Sequence, residues 1–183
     1  MQHQRTKINP PIHLLQKYEP NHAIFESLWG PGLVERFDVY RFSTIPQSHA
    51  ENDAIKQNQN RQVDTANNTR ENEEVIQVEI KLGSRLNGHP SIIHGGIISL
   101  LFDEAMGWAR GVLLPDKMVM YVTANLSVDY RAPLSADSEV VLRVFRDGGD
   151  EVKMKFRGVL ESFEGKIVYA EATGLFVRVK SKL

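Results

Sequence analysis

No cysteine occurs among the 183 residues. That excludes a disulfide framework, a thiolate nucleophile and a cysteine-ligated zinc site. It fits an intracellular protein, cytoplasmic or mitochondrial. Net charge is missing too: 22 Lys and Arg stand against 23 Asp and Glu, a formal -1. So balanced a chain presents no global field for nucleic acid or an anionic membrane. No apolar run reaches the roughly 18 residues of a membrane-spanning helix. The N-terminus lacks the apolar centre of a secretory signal. Arg5, Lys7 and Lys17 precede the first acidic residue, Glu19, a faint likeness to an organelle-targeting segment. Pro10-Pro11 interrupts the amphipathic helix such a segment needs, so a loose arm is expected over residues 1–30. No His-x-x-x-His spacing supports a metal site, and no Gly-x-Ser-x-Gly elbow supports a serine hydrolase.

Residues 47–74 hold no aromatic and no glycine, but many Asn, Gln and charged residues. Too little apolar surface is available there to offset ordering entropy, and a disordered insertion is expected. Around it, the pattern is of strands. "LVERFDVYRFS" (33–43) alternates imperfectly after the turn signal "WGPG" (29–32). "VIQVEIKLG" (75–83) alternates cleanly and puts Ile76, Val78, Ile80 and Leu82 on one face. "VMYVTANLSVDY" (119–130) aligns Val122, Ala124, Leu126, Val128 and Tyr130. "SEVVLRVFR" (138–146) runs into Asp147-Gly148-Gly149, a hairpin signal. The last two strands are joined by "FEGK" (163–166). Two short apolar stretches, "HLLQKY" (13–18) and "HAIFESLW" (22–29), read as short helices packed on the body.

The one long helical stretch is "IIHGGIISLLFDEAMGWA" (92–109). Its apolar residues surround the axis, so it belongs in the interior, wrapped by an antiparallel sheet. The expected class is α+β. Buried carboxylates are costly unless paired or hydrogen-bonded, yet Asp103 and Glu104 sit in this helix. They project roughly 100° apart, so one faces a cleft and the other a salt bridge or solvent. Ser99 precedes Asp103 by four positions and is placed to bond it. Read without further context, both carboxylates also suit a solvated helix edge. Gly95-Gly96 at the helix start permits either a tight turn or close approach of an anionic oxygen to free amides.

"HGGIISLLFD" resembles the helix start of hotdog-fold thioesterases, in the branch with a His-Gly-Gly turn and an Asp nine positions after the His (103 minus 94). "VTANLSVDYRAPL" (122–134) is similar to the following strand of the same branch, which includes thioesterase superfamily members 4 and 5. The likeness covers about residues 75–180. It implies a hotdog fold, a curved antiparallel sheet around one central helix, over residues 31–183. It implies an acyl-CoA thioesterase that uses no cofactor and no metal. It assigns Asp103 the carboxylate that activates water or attacks the thioester, and Gly95 the amide that polarises the carbonyl. Thr123 takes the hydroxyl that places the water, reached from the other subunit of a homodimer or homotetramer. His94 shapes the site, and Asn87 falls near a polar position that some relatives use. Gly96 and Arg131 are further substrate-binding candidates, Arg131 because the phosphates of coenzyme A call for a local basic patch. Glu104 matches no role in this branch, although related enzymes use a Glu on this helix. Lys153, Lys155 and Arg157 share a strand face and are further candidates for the phosphates of coenzyme A. Two other readings of the fold stand beside this one: a non-catalytic acyl-CoA binder, and a hydratase, whose Asp and His arrangement is not seen.

Overall fold

The computed structural model describes residues 4–9, 21–43, 73–115 and 120–179. In chain order these form β1 (Gln4–Lys7), β2 (Val34–Ser43), β3 (Glu74–Leu82), β4 (Asn87–His89) and β5 (Ile92–Ile93). Helix α1 (Gly95–Leu113) follows, then β6 (Tyr121–Tyr130), β7 (Ser138–Gly149), β8 (Lys153–Ser162) and β9 (Val168–Arg178). Seven strands make one antiparallel sheet in the order β1-β2-β3-β7-β8-β9-β6. β4 and β5 form a separate small hairpin that delivers the chain to α1.

Alternation explains which face of the sheet receives the helix. Ile76, Val78, Ile80 and Leu82 of β3 are all fully buried, the face expected from their spacing. β8 turns Met154, Phe156, Gly158 and Leu160 inward. Phe102 and Met106 of α1 meet this face where it is thinnest. A Cβ added at Gly158 would lie 2.7 Å from the Phe102 ring, and one at Gly174 would lie 2.5 Å from Met106 Sδ. These mid-strand glycines are recesses into which helix side chains seat. The result is the α+β hotdog architecture, with α1 as the filling of the sheet.

The N-terminal part departs from a loose arm. Gln4–Lys7 has no apolar residue to announce a strand, yet it pairs with β2 along its whole length. Charge contacts hold it there: Arg5 pairs with Glu79 and lies 3.6 Å from the Tyr40 ring centroid, and Lys7 Nζ is 2.6 Å from Asp38. Further on, Ala23–Ser27 forms a π-helical turn whose Ile24 and Phe25 join the core. Phe25 packs edge-on against Phe37 and Trp108. The stretch 13–18 and the insertion, up to residue 72, lie outside the described residues.

The β7–β8 connection is also not where the hairpin signal put it. Gly148 and Gly149 have φ of 100° and 84° and carry a register slip at the end of β7. The turn itself is Asp150–Val152. Asp150 Oδ1 accepts the amides of Lys153 (2.8 Å) and Val152 (2.7 Å). Those amides hold its carboxyl below the usual carboxylate range. The dipeptide was a sound turn signal, but the ladder continues through glycine until an Asp side chain closes the reversal. "FEGK" turns as expected, with Gly165 at φ 69°.

Candidate active site

α1 has one face in the core and one open. Ile98, Leu101, Phe102, Ala105, Met106 and Ala109 are buried. On the other side lie Gly96, Asp103, Gly107 and Gly111, none of them buried. Asp103 is therefore a half-buried carboxylate on the open side of the helix and not one sunk in the core. Thr123 Oγ1 donates to Asp103 Oδ1 at 2.6 Å. This bond joins two residues of one chain.

A bulge in β6 makes the contact. Strict alternation would set Thr123 on the face opposite Leu126, Val128 and Tyr130. The β6–β9 register slips between Thr123 and Asn125, leaving Ala124 as an extra residue. Tyr121 and Thr123 consequently share the helix-facing side with Leu126, Val128 and Tyr130, as bulges allow. Val122 and Ala124, assigned to the inner face by their spacing, are exposed instead.

The helix start is a second cluster. His94 caps α1, and its Nδ1 accepts the Gly96 N–H at 2.8 Å. While it does so Nδ1 carries no proton, which leaves the ring's hydrogen on Nε2. The Gly95 N–H has no acceptor among the described residues. Tyr130 OH donates to the Gly95 carbonyl at 2.9 Å and lies 2.8 Å from Ser99 Oγ. Ser99 Oγ is also 3.2 Å from the Gly95 carbonyl, so Ser99 serves the helix start and not Asp103. Asn87 pairs in β4 with Ile93, next to His94, and is exposed. A cleft of about 360 Å³ opens here, lined by Gly95, Ile98, Tyr130, Arg131 and Leu134 among others. Arg131 is engaged by Glu171 at 2.8 Å and Asp129 at 3.5 Å.

Within one chain the two clusters do not meet. Eight residues at 1.5 Å each separate Gly95 from Asp103 by about 12 Å along the helix. The basic stripe does not join them either. Lys153, Lys155 and Arg157 alternate with the inward Met154, Phe156 and Gly158, so they project from the outer face of the sheet. Arg157 lies over the Phe145 ring there, 4.2 Å from its centroid.

Glu104 has a different task. Its Oε1 accepts the Trp108 indole N–H at 2.9 Å, and its Oε2 is 3.3 Å from His22 Nε2. His22 Nδ1 in turn accepts the amides of Ile24 and Phe25. The second carboxylate thus ties α1 to the N-terminal segment. It also lines a larger cleft of about 540 Å³ with Ile8, Gly107, Trp108, Gly111 and Val112. Among the described residues, no three His, Asp or Glu cluster as a metal site, and no helix is long and apolar enough to cross a membrane. Sequence reading missed the hydroxyl of Tyr130. The residue was visible only as one more member of an apolar face, and nothing local signals its bond to Gly95.

A sequence model of the thioesterase superfamily matches residues 91–145, from β5 through α1 and β6 into β7. The acyl-coenzyme A thioesterase THEM4 of Bos taurus is 31% identical over 97 residues, 53% of this chain and 38% of that one. The mitochondrial membrane protein FMP10 of Saccharomyces cerevisiae, itself uncharacterised, is 33% identical over 94 residues, 50% of this chain and 38% of that one. The chain thus spans less than half the length of these curated relatives. A thioesterase from Haemophilus influenzae superposes with a TM-score of 0.60 over 95% of this chain and 94% of its own, at 12% identity, and so shares the fold. The chain shares the hotdog fold, and its segment 91–145 is similar to the thioesterase superfamily.

Proposed function

We propose that the chain hydrolyses acyl-CoA thioesters to the free acid and coenzyme A. The bond from Thr123 Oγ1 to Asp103 Oδ1 on the open face of α1 carries this reading. It fixes one carboxylate oxygen and leaves Oδ2 for a water. Asp103 takes a proton from that water as its oxygen attacks the thioester carbonyl. The carbonyl oxygen becomes negative and is met by a preorganised amide, the free Gly95 N–H. Collapse breaks the carbon–sulfur bond, and the proton on Asp103 returns to the leaving thiolate.

Base and oxyanion donor must touch the same carbonyl. At about 12 Å apart in one chain they do not. The complete site therefore takes Asp103 and Thr123 from one copy and Gly95, His94 and Asn87 from a second. β6 is an edge strand of the sheet, with exposed Val122, Thr123, Ala124 and Asn125. Such an edge pairs readily with another strand. A dimer formed there serves this reading, alone or within a tetramer. Arg131, beside Gly95, is placed for a phosphate of coenzyme A. The acyl chain runs in the cleft along Gly107, Trp108 and Gly111, one turn beyond Asp103. The yeast relative is a mitochondrial membrane protein by name, which makes mitochondria the compartment to examine first.

Thiol release from acyl-CoAs of graded length tests the proposal. Asp103→Asn abolishes turnover and keeps the oligomer; Thr123→Ala costs about 10²-fold or less, because it positions and does not attack. Mixing Asp103→Asn chains with Gly95→Val chains restores part of the activity if the site is shared between copies. Full activity of Asp103→Asn overturns the assignment. Binding of acyl-CoA without turnover in the wild type makes the chain a binder.

A further inference from the structure

Tyr130 belongs to no role assigned so far. It is 52% exposed, so burial of its ring does not account for it. The geometry points to Tyr130 as a positioning residue that holds the Gly95 amide ready for the thioester oxygen. This rests on the proposed hydrolase reading.

A backbone amide stabilises a developing oxyanion only if it is already aimed. Two successive glycines are the backbone least suited to that, since they restrict their own dihedrals so little. Here both ends of the peptide that links them are held from outside. The Gly96 N–H is bonded to His94 Nδ1, and the Gly95 carbonyl accepts from Tyr130 OH. Tyr130 has one hydroxyl proton. Ser99 Oγ, whose one proton reaches either the Tyr130 oxygen at 2.8 Å or the Gly95 carbonyl at 3.2 Å, is the second hydroxyl beside that carbonyl. The ring adds a wall. A Cβ at Gly95 would sit 3.3 Å from the Tyr130 ring and hydroxyl, closer than ordinary packing. With the following peptide held at both ends and one side walled, the Gly95 N–H remains the open donor of the turn. Tyr130 reaches this place because its pairing with Ala170 of β9 puts it, with residues 126 and 128, toward α1.

The test uses the full chain with Tyr130→Phe, which removes the hydroxyl and keeps the ring. Turnover of acyl-CoAs is measured beside backbone order parameters of Gly95 and Gly96 by nitrogen-15 relaxation. The expected result is a kcat about 10-fold lower, less than loss of an oxyanion donor itself, with KM nearly unchanged. Gly95 becomes more mobile while the oligomer and the remaining amides stay as they were. Ser99→Ala added to Tyr130→Phe lowers kcat further, because the second hydroxyl on the Gly95 carbonyl is then lost too. Wild-type kcat and an unchanged Gly95 order parameter in Tyr130→Phe overturn the proposal. Equal losses in kcat, KM and thermal stability overturn it too, in favour of a staple between β6 and α1. A wild-type protein that hydrolyses no acyl-CoA refutes the hydrolase reading instead. The relaxation data then still decide whether Tyr130 holds Gly95.

Discussion

Replacing Gly107 and Gly111 by alanine should make the protein more stable and narrow the substrates it accepts. Glycine in a helix interior costs about 1 kcal/mol relative to alanine. That cost is usually explained by a neighbour that needs the space. Here a Cβ at either position meets nothing within 4 Å. Gly107 lies mid-helix and gains nearly the full amount. Gly111 lies two residues before the last residue of α1, Leu113, and gains less. Together they give about 1–2 kcal/mol, and for a chain of this size each kcal/mol raises Tm by roughly 2–4 °C. Both residues line the 540 Å³ cleft. The added methyl groups enter the space assigned to the acyl chain. Thermal unfolding is measured together with turnover over a series of acyl-CoA lengths. A higher Tm with activity shifted toward short chains is expected, and Gly107→Leu exaggerates the shift. A lower Tm would refute the reading of open space beside the helix. A higher Tm with an unchanged chain-length profile would refute the cleft as the bed of the acyl chain.

Two further perturbations separate the remaining roles. Glu104→Gln keeps the shape but removes the charge that faces His22 and Trp108. It should lower stability by about 1 kcal/mol and leave most of kcat, whereas a catalytic Glu104 would lose turnover by orders of magnitude. Deleting Ala124 removes the extra residue of the β6 bulge. Thr123 then precedes Asn125 in a regular ladder, still opposite Phe176, and keeps the helix-facing side, so most of kcat should remain, with the fold intact by circular dichroism. A loss as large as that of Thr123→Ala would mean that the bulge sets the bond to Asp103 by more than the face it selects.

Much of the fold was legible because its determinants are local. The period-two runs of β3 and β8 and the apolar sides of 92–109 report burial directly. β1 was not legible, since its polar residues are held by charges 31 and 74 positions away, Asp38 for Lys7 and Glu79 for Arg5. The hairpin came a few residues later than the signal at 147–149 for a related reason: a positive φ can end a strand or bulge it, and the neighbouring strand decides which.

From the sequence alone came the helix start at His94-Gly95-Gly96, the carboxylate at 103 and a strand bearing Thr123. Each is written in short-range spacing and residue type. Tertiary structure alone decided that Thr123 meets Asp103 within one chain, that Ser99 turns to Gly95, and that Glu104 anchors the N-terminal segment. Those outcomes depend on one extra residue in β6 and on registers set across the sheet. A single-residue slip exchanges the two faces of a strand, and nothing in a strand's own alternation records a slip imposed by its partner.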